Sequence, residues 1–382
     1  MQSWMRVSLA VFIIAAGANI FAPLLPVYRL VDGLSEPQVT FLLAIYIFGL
    51  IPALILGGPA SDRYGRRALI RPAMILSLLG TSITAIAHFF GPTWLATGRL
   101  LTGVAVGFVM SSGASWIKEL SKQDTIGARR ATVASSSGFA IGPLVGGIVA
   151  QWIPYPDVWP LMTHLIGVLI LLPVVWNAPQ SATSGDLSGP HKQARLLPKT
   201  AGHPHFLGGV AAWAPWVFGC ATTSFAVIPL LVSVEHTIAF SGFIAALTML
   251  MGVLVQPFVR RVKMHPATFG LLLACAGMVI MFIVSQTGNV WISLLAAMTL
   301  GGSYGVMMVS GLQEVQTIAR PEELGALTGV YYSLTYIGFF APFVISFLAH
   351  SVGYSAIFLF GIVVTLGSIV PVRWAAQRAL NN

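Results

Sequence analysis

The chain has 382 residues, of which 56% are hydrophobic and only 8% charged, with a mean hydropathy of +0.85. A soluble domain carries about a quarter charged residues, so this composition excludes a soluble fold. The formal charge of +9 could suit nucleic acid, but the basic residues fall in short clusters between apolar runs, where membrane proteins keep their topology signals.

The first apolar run, 7–30, follows Arg6 and contains the small residues Ala15, Ala16, Gly17 and Ala18, the outline of a signal peptide. It continues to Leu30 and eleven more runs follow, so it reads as an uncleaved first span. Spans 2 to 6 cover 39–60, 70–90, 94–117, 128–151 and 159–178. After a polar stretch rich in Ser, Gly, Pro, His and Lys come 205–232, 238–259, 267–286, 290–313, 324–348 and 353–373. Each run offers the roughly 20 residues that a helix needs to cross the hydrocarbon core. Backbone groups in lipid must pair within their own segment, so the runs are helices rather than open strands. The expected fold is an all-α integral membrane protein of twelve transmembrane helices. It divides into an N-terminal six-helix set at 1–178, a cytoplasmic linker at 179–203 and a C-terminal set at 204–382.

Charge supplies the orientation. With the N-terminus inside, 18 of the 20 basic residues lie in cytoplasmic segments, and only Arg29 and Arg99 lie elsewhere. Both termini are therefore expected in the cytoplasm. An internal repeat supports the two sets: Gly103, Gly107 and Gly113 of span 4 recur at the same intervals as Gly301, Gly305 and Gly311 of span 10. The cysteines, Cys220 and Cys275, both sit inside apolar runs and offer no disulfide framework or metal pattern.

Between spans 2 and 3 the chain reads Gly58, Pro59, Ala60, Ser61, Asp62, Arg63, Tyr64, Gly65, Arg66, Arg67. A carboxylate at a helix end can meet arginines and the positive end of a neighbouring helix, and Gly65 permits a sharp reversal. The segment resembles the signature loop of the major facilitator superfamily, with Ala60 in place of the usual Leu. The resemblance implies a conformational latch made by Gly58, Asp62, Arg63, Gly65, Arg66 and Arg67. In span 4, Leu95, Arg99, Thr102, Gly103 and Ala105 are similar to the second motif of that superfamily, whose buried arginine helps couple proton movement; Thr102 replaces the usual Gln. Ala297 stands at the repeat-equivalent place in the second half. Span 5 carries Gly138, Gly142, Pro143, Gly146 and Gly147, and looks like the motif that marks the drug/proton antiporter families. Its glycines form a smooth face for close packing, and Gly142-Pro143 removes a helical hydrogen bond.

The resemblance implies two six-helix bundles around a central cavity lined by spans 1, 4, 7 and 10. Helical spacing then makes Asn19, Trp213, Trp216, Thr223, Tyr304, Met307, Tyr332 and Tyr336 the candidate cavity residues. Aromatic and methionine side chains suit varied, partly apolar ligands. No carboxylate occupies the middle of a span; Glu314 is the best-placed partner for Arg99 in proton coupling, while Lys118, Glu119 and His164 read as interfacial. The eight histidines are scattered, which argues against a membrane enzyme, and no phosphate-binding P-loop is present. The expected protein is a proton-coupled exporter of drugs or similar amphipathic compounds in a bacterial inner membrane. It would act as a monomer with substrate, protons and lipid as its partners, without nucleic acid, and with no cofactor besides the proton gradient. The alternative is an exporter or facilitator of a defined metabolite such as a sugar, amino acid or siderophore.

Overall fold

Among the described residues there are twelve helices long and apolar enough to cross a membrane, and no strand. The computed structural model describes residues 1–121, 123–180, 198–259, 261–320 and 323–381. The helices are α1 (Ser3–Val31), α2 (Glu36–Ser61), α3 (Arg67–Phe90), α4 (Thr93–Glu119), α5 (Ile126–Trp152) and α6 (Trp159–Trp176). They continue with α7 (Pro204–Leu231), α8 (Thr237–Val259), α9 (Pro266–Thr287), α10 (Val290–Ile318), α11 (Leu324–Val352) and α12 (Tyr354–Ala375). All twelve overlap the expected spans, and α1, α2, α10 and α11 run about a turn further. A helix leaving the hydrocarbon keeps its hydrogen bonds while its side chains turn polar, as at Gln313 and Glu314 of α10. The expected linker falls mostly on 181–197, outside the described residues; its end, Lys199–Gly202, is a 3-10 turn.

Several helices are interrupted where the sequence removes a donor or a side chain. Pro23 and Pro26 accompany the 3-10 turn Ala22–Leu24 inside α1. A π-helical turn, Leu207–Ala211, opens α7, and Gly338–Phe340 forms a 3-10 turn in α11 just before Pro342. Outward-facing side chains such as Ile170, Phe360 and Val363 are large, apolar and exposed, as a lipid-facing surface requires.

Packing divides the chain into two compact units, Met1–Gly33 with Ile45–Leu196, and Leu34–Ala44 with Leu197–Asn382. The division passes through α2 at its break between Ala44 and Ile47. The first piece of α2 belongs to the second unit. There Thr40 Oγ1 lies 2.7 Å from Ser346 Oγ, Phe41 packs on Phe343, and the Tyr354 hydroxyl donates to Glu36 at 2.6 Å.

Within each unit the repeated glycines do the same work. In the first, Gly103 and Gly107 of α4 lie against the Tyr46–Leu54 backbone of α2, so close that a Cβ on Gly103 would enter the Tyr46 carbonyl. In the second, Gly301 and Gly305 of α10 lie against Thr248 and Gly252 of α8. The sequence repeat is thus a repeat of helix contacts, α4 on α2 and α10 on α8. The third glycine breaks it: Gly113 faces Val11 of α1, while Gly311 makes room for Tyr331 of α11. That tyrosine donates its hydroxyl to the carbonyls of Met307 and Met308 at 3.2 and 3.3 Å.

Candidate functional site

Gly65 ends the inner half of α2 with φ of 87°, a conformation that a residue with a Cβ adopts poorly. That reversal delivers Arg66 and Arg67 to different partners. Arg66 donates through Nε to Glu119 of α4 at 3.1 Å and through Nη1 to Ser61 Oγ. Arg67 and Arg71 both donate to the Trp176 carbonyl, and Arg6 donates to the carbonyl of Asn177. Those are unpaired C-terminal carbonyls of α6, the negative end of its dipole, so three cations cap one helix. Arg71 also lies over the Trp176 ring, 4.4 Å from its centroid, and Arg63 over the ring of Tyr64 at 5.1 Å. The expected contacts of the Asp62 carboxylate lie outside the described residues. Glu119, partly exposed at the end of α4, is a carboxylate that Arg66 meets.

Arg99 of α4 is 2% exposed and so is no snorkelling residue. Its guanidinium stands 4.5 Å from the ring centroid of Phe21 and 4.7 Å from that of Tyr46, and donates to the Ala18 carbonyl at 3.1 Å. Two π faces and a carbonyl are how a buried cation is accommodated in an apolar bundle. The carbonyl of Ala18 lies at the end of the first helical piece of α1, where the 3-10 break begins. His164, expected at the interface, is instead 3% exposed inside the bundle. It bridges Thr81 Oγ1 at 2.9 Å and the Ile13 carbonyl at 3.1 Å, and its ring fills the space left by Gly17. A histidine with both nitrogens engaged can span three helices without leaving polar atoms unpaired.

The span-5 motif forms the close face between α5 and α1. Gly138 meets Phe12 and Ala15, Gly142 meets the Ala16 backbone, and Gly146 meets Ile20. Pro143 lies inside the helix, and Gly147 is buried with the other glycines. Asn19, a candidate cavity residue, uses its amide to donate to the Phe139 carbonyl at 3.1 Å, tying α1 to the same face.

Glu314, near the end of α10, accepts a 2.6 Å contact from His205 Nε2 at the start of α7. The pair borders a groove that also holds Lys199, Thr200, His203, Thr317 and Arg320. His205 is a partner the sequence reading missed, being 109 residues away in the chain. Arg99 and Glu314 belong to different units, and each has its own partners within its unit.

The remaining candidates divide: Tyr304 and Tyr336 both pack on Phe218, at 5.4 and 4.5 Å, whereas others meet different neighbours. Met307 fills the space beside Gly270 of α9, while Tyr304 fills that beside Gly252 of α8. Trp213 is wholly buried, donates to the Gly209 carbonyl and packs edge-on against Tyr331. Trp216 donates to Ser368 Oγ at 3.0 Å. Tyr336 stacks on Phe218 at 4.5 Å, Tyr332 packs on Tyr331 at 5.8 Å, and Thr223 is buried. Residues three apart on α10 differ enough in azimuth to address different neighbours, which spacing alone had merged.

Comparison with known proteins gives this architecture a context. Among solved structures, a D-xylose–proton symporter aligns with a TM-score of 0.74 at 15% identity, covering 96% of each chain. A POT family transporter in complex with 5-aminolevulinic acid aligns with a TM-score of 0.77 at 11% identity, over 98% of this chain and 96% of that one. Identities this low establish the fold alone. Among curated sequences, "Quinolone resistance protein NorA" of Staphylococcus aureus is 28% identical over 145 residues, 37% of this chain and 36% of that protein. A "Probable triacylglyceride transporter" of Mycobacterium bovis is 31% identical over 142 residues, 35% of this chain and 27% of that protein. The matches thus span about a third of these relatives. The Major Facilitator Superfamily model matches residues 7–341, most of the chain, and the chain belongs to that superfamily of transporters.

Proposed function

We propose that this transporter exports small amphipathic compounds, drugs among them, in exchange for protons. The observation that carries this reading is the α1–α5 interface, where Gly138, Gly142 and Gly146 bring two helices to backbone contact in a sequence resembling the antiporter motif. The NorA relative, named for quinolone resistance, supports the same direction over the part of the chain it matches. In this reading both termini and the Arg63–Arg71 cluster face the cytoplasm, following the charge asymmetry. The latch comprises Gly58, Asp62, Arg63, Gly65, Arg66 and Arg67, now with Glu119 as partner. Arg99 acts as a fixed cation beside the break in α1, and Glu314 exchanges its contact with His205 as its protonation changes. Among the candidate cavity residues, Tyr332 and Tyr304 are the aromatic groups proposed to meet substrate. Transport works by alternating access, a ligand shifting the balance between two open states by its differential affinity.

The direct test uses inverted membrane vesicles, whose cytoplasmic face is outward, loaded with an acidic interior and presented with ethidium. Accumulation that needs both this protein and the pH gradient is the expected result. Equal accumulation after the gradient is dissipated would replace the antiporter with a uniporter or another energy source.

A further inference from the structure

The far end of the first unit, away from the Arg63–Arg71 cluster, carries ionisable groups that neither the motifs nor the relatives account for. Asp157 lies in the connection between α5 and α6 and is only 4% exposed. The connection is bent there by Tyr155, whose φ is 55°. Asp157 Oδ2 is 2.6 Å from Nδ1 of His88, near the end of α3. Its Oδ1 is buried and has no hydrogen-bond partner among the described residues, and the same holds for the Tyr28 hydroxyl of α1. Asp32, one residue beyond α1, and Tyr28 both lie within electrostatic reach of Asp157. His88 is partly open to solvent, 24% exposed, whereas Asp157 behind it is not. The other groups around the cluster are Arg99, which acts on Tyr28, Arg29 on the next position of α1, and the Tyr155 ring, edge-on to His88 at 5.7 Å.

A buried carboxylate with one oxygen unpaired and a second carboxylate nearby is in an environment that favours its neutral form. Two such acids share protons as a coupled pair. We propose that Asp157, His88 and Asp32 form a proton-binding site at the outer end of the first bundle, in which His88 passes protons between solvent and the buried Asp157. Neutral His88 holds its proton on Nδ1 and donates it to Oδ2. A solvent proton adds at Nε2, the Nδ1 proton moves to Oδ2, and the imidazole is left neutral with its proton on Nε2. One proton has entered and Asp157 has lost its charge. Burial first, and then repulsion by Asp157, holds the Asp32 carboxyl above the usual 3.8, with His88 opposing.

The role of this site in transport rests on the proton-antiport reading and on its orientation, but proton binding itself can be read without transport. The experiment is an infrared pH titration of the purified full-length protein, beside Asp157→Asn and Asp32→Asn. Elution volume and melting temperature identify any variant that has lost its fold. Wild type should show a carboxylic-acid carbonyl band that grows on acidification and is missing from Asp157→Asn. Asp32→Asn, which removes the repulsion, should retain a band whose midpoint lies lower by a threefold or greater fall in proton affinity. If Asp157→Asn misfolds, the shift in Asp32→Asn decides. A wild-type titration that neither variant alters would overturn the site. Loss of proton-driven ethidium transport in wild type, with the Asp157 band intact, would end the antiport reading and leave the site standing.

Discussion

The side chains around Gly65 show how one sequence motif is divided between anchoring and switching. Arg67 and Arg71 are both committed to the last carbonyl of α6, that of Trp176, contacts inside one bundle that hold the loop in place. Arg66 reaches a carboxylate on another helix, Glu119, in a half-exposed pair. Pairs of that exposure contribute about 0–1 kcal/mol to stability, so the fold does not depend on it. Glu119→Gln should therefore leave the melting temperature of the purified protein almost unchanged while slowing ethidium transport several-fold at equal membrane levels. A variant that transports normally would make the pair a surface contact without a switching role. Glu323 presents a different case. It accepts hydrogen bonds from the Thr200 hydroxyl and from the N–H groups of Lys199 and Thr200. Those bonds, the hydroxyl first, hold its carboxyl below the usual 4.5. Its depressed pKa means that the fastening is complete above the unfolded value and is lost as pH falls through the folded one. Glu323→Gln at neutral pH, or the wild type below pH 4.5, should be cut faster by protease near Lys199–Gly202. Equal cutting rates in variant and wild type at pH 7 would show that the contact fastens nothing.

At the scale of helices, small residues set the distances. Without a hydrophobic drive between helices in lipid, close approach and dispersion hold them together. Gly305 and Gly252 touch backbone to backbone, whereas a Cβ on Gly302, three residues earlier on α10, would meet nothing within 4 Å. Gly305→Ala should destabilise the second unit by about 1–3 kcal/mol, the range for overpacking a filled contact, and Gly302→Ala should not. Thermal unfolding of the two purified variants measures the difference; equal melting temperatures would remove the α8–α10 contact from this account. The same comparison explains what the sequence made legible. Twelve spans could be read because bilayer thickness forces length and apolarity, and the glycine repeat could be read because Gly103 and Gly301 meet equivalent partners. His205 with Glu314, Arg67 with Trp176 and Asp157 with His88 could not be read, since each joins segments far apart in the chain. Periodicity places residues on a helix face but does not say which neighbour that face meets, which is why Met307 and Tyr304 separate.

For the whole molecule, the proposed function joins a twelve-helix transporter fold to a direction and an energy source. Its orientation is testable separately: reporter fusions after Asn177 and Arg261 should register cytoplasm, and fusions near Glu36 and Asp157 the opposite side. Opposite results at two of these sites would invert the proposed topology and, with it, the outer location of the His88–Asp157 pair. The central claim, exchange of substrate for protons, is tested most directly in liposomes holding only the purified protein, a trapped pH-sensitive dye and a high internal concentration of ethidium. On dilution into ethidium-free buffer of the same pH, outward substrate flow should drive protons inward and acidify the lumen. The acidification should be absent from liposomes without protein. Ethidium leaving through the protein with no change in luminal pH would contradict the account.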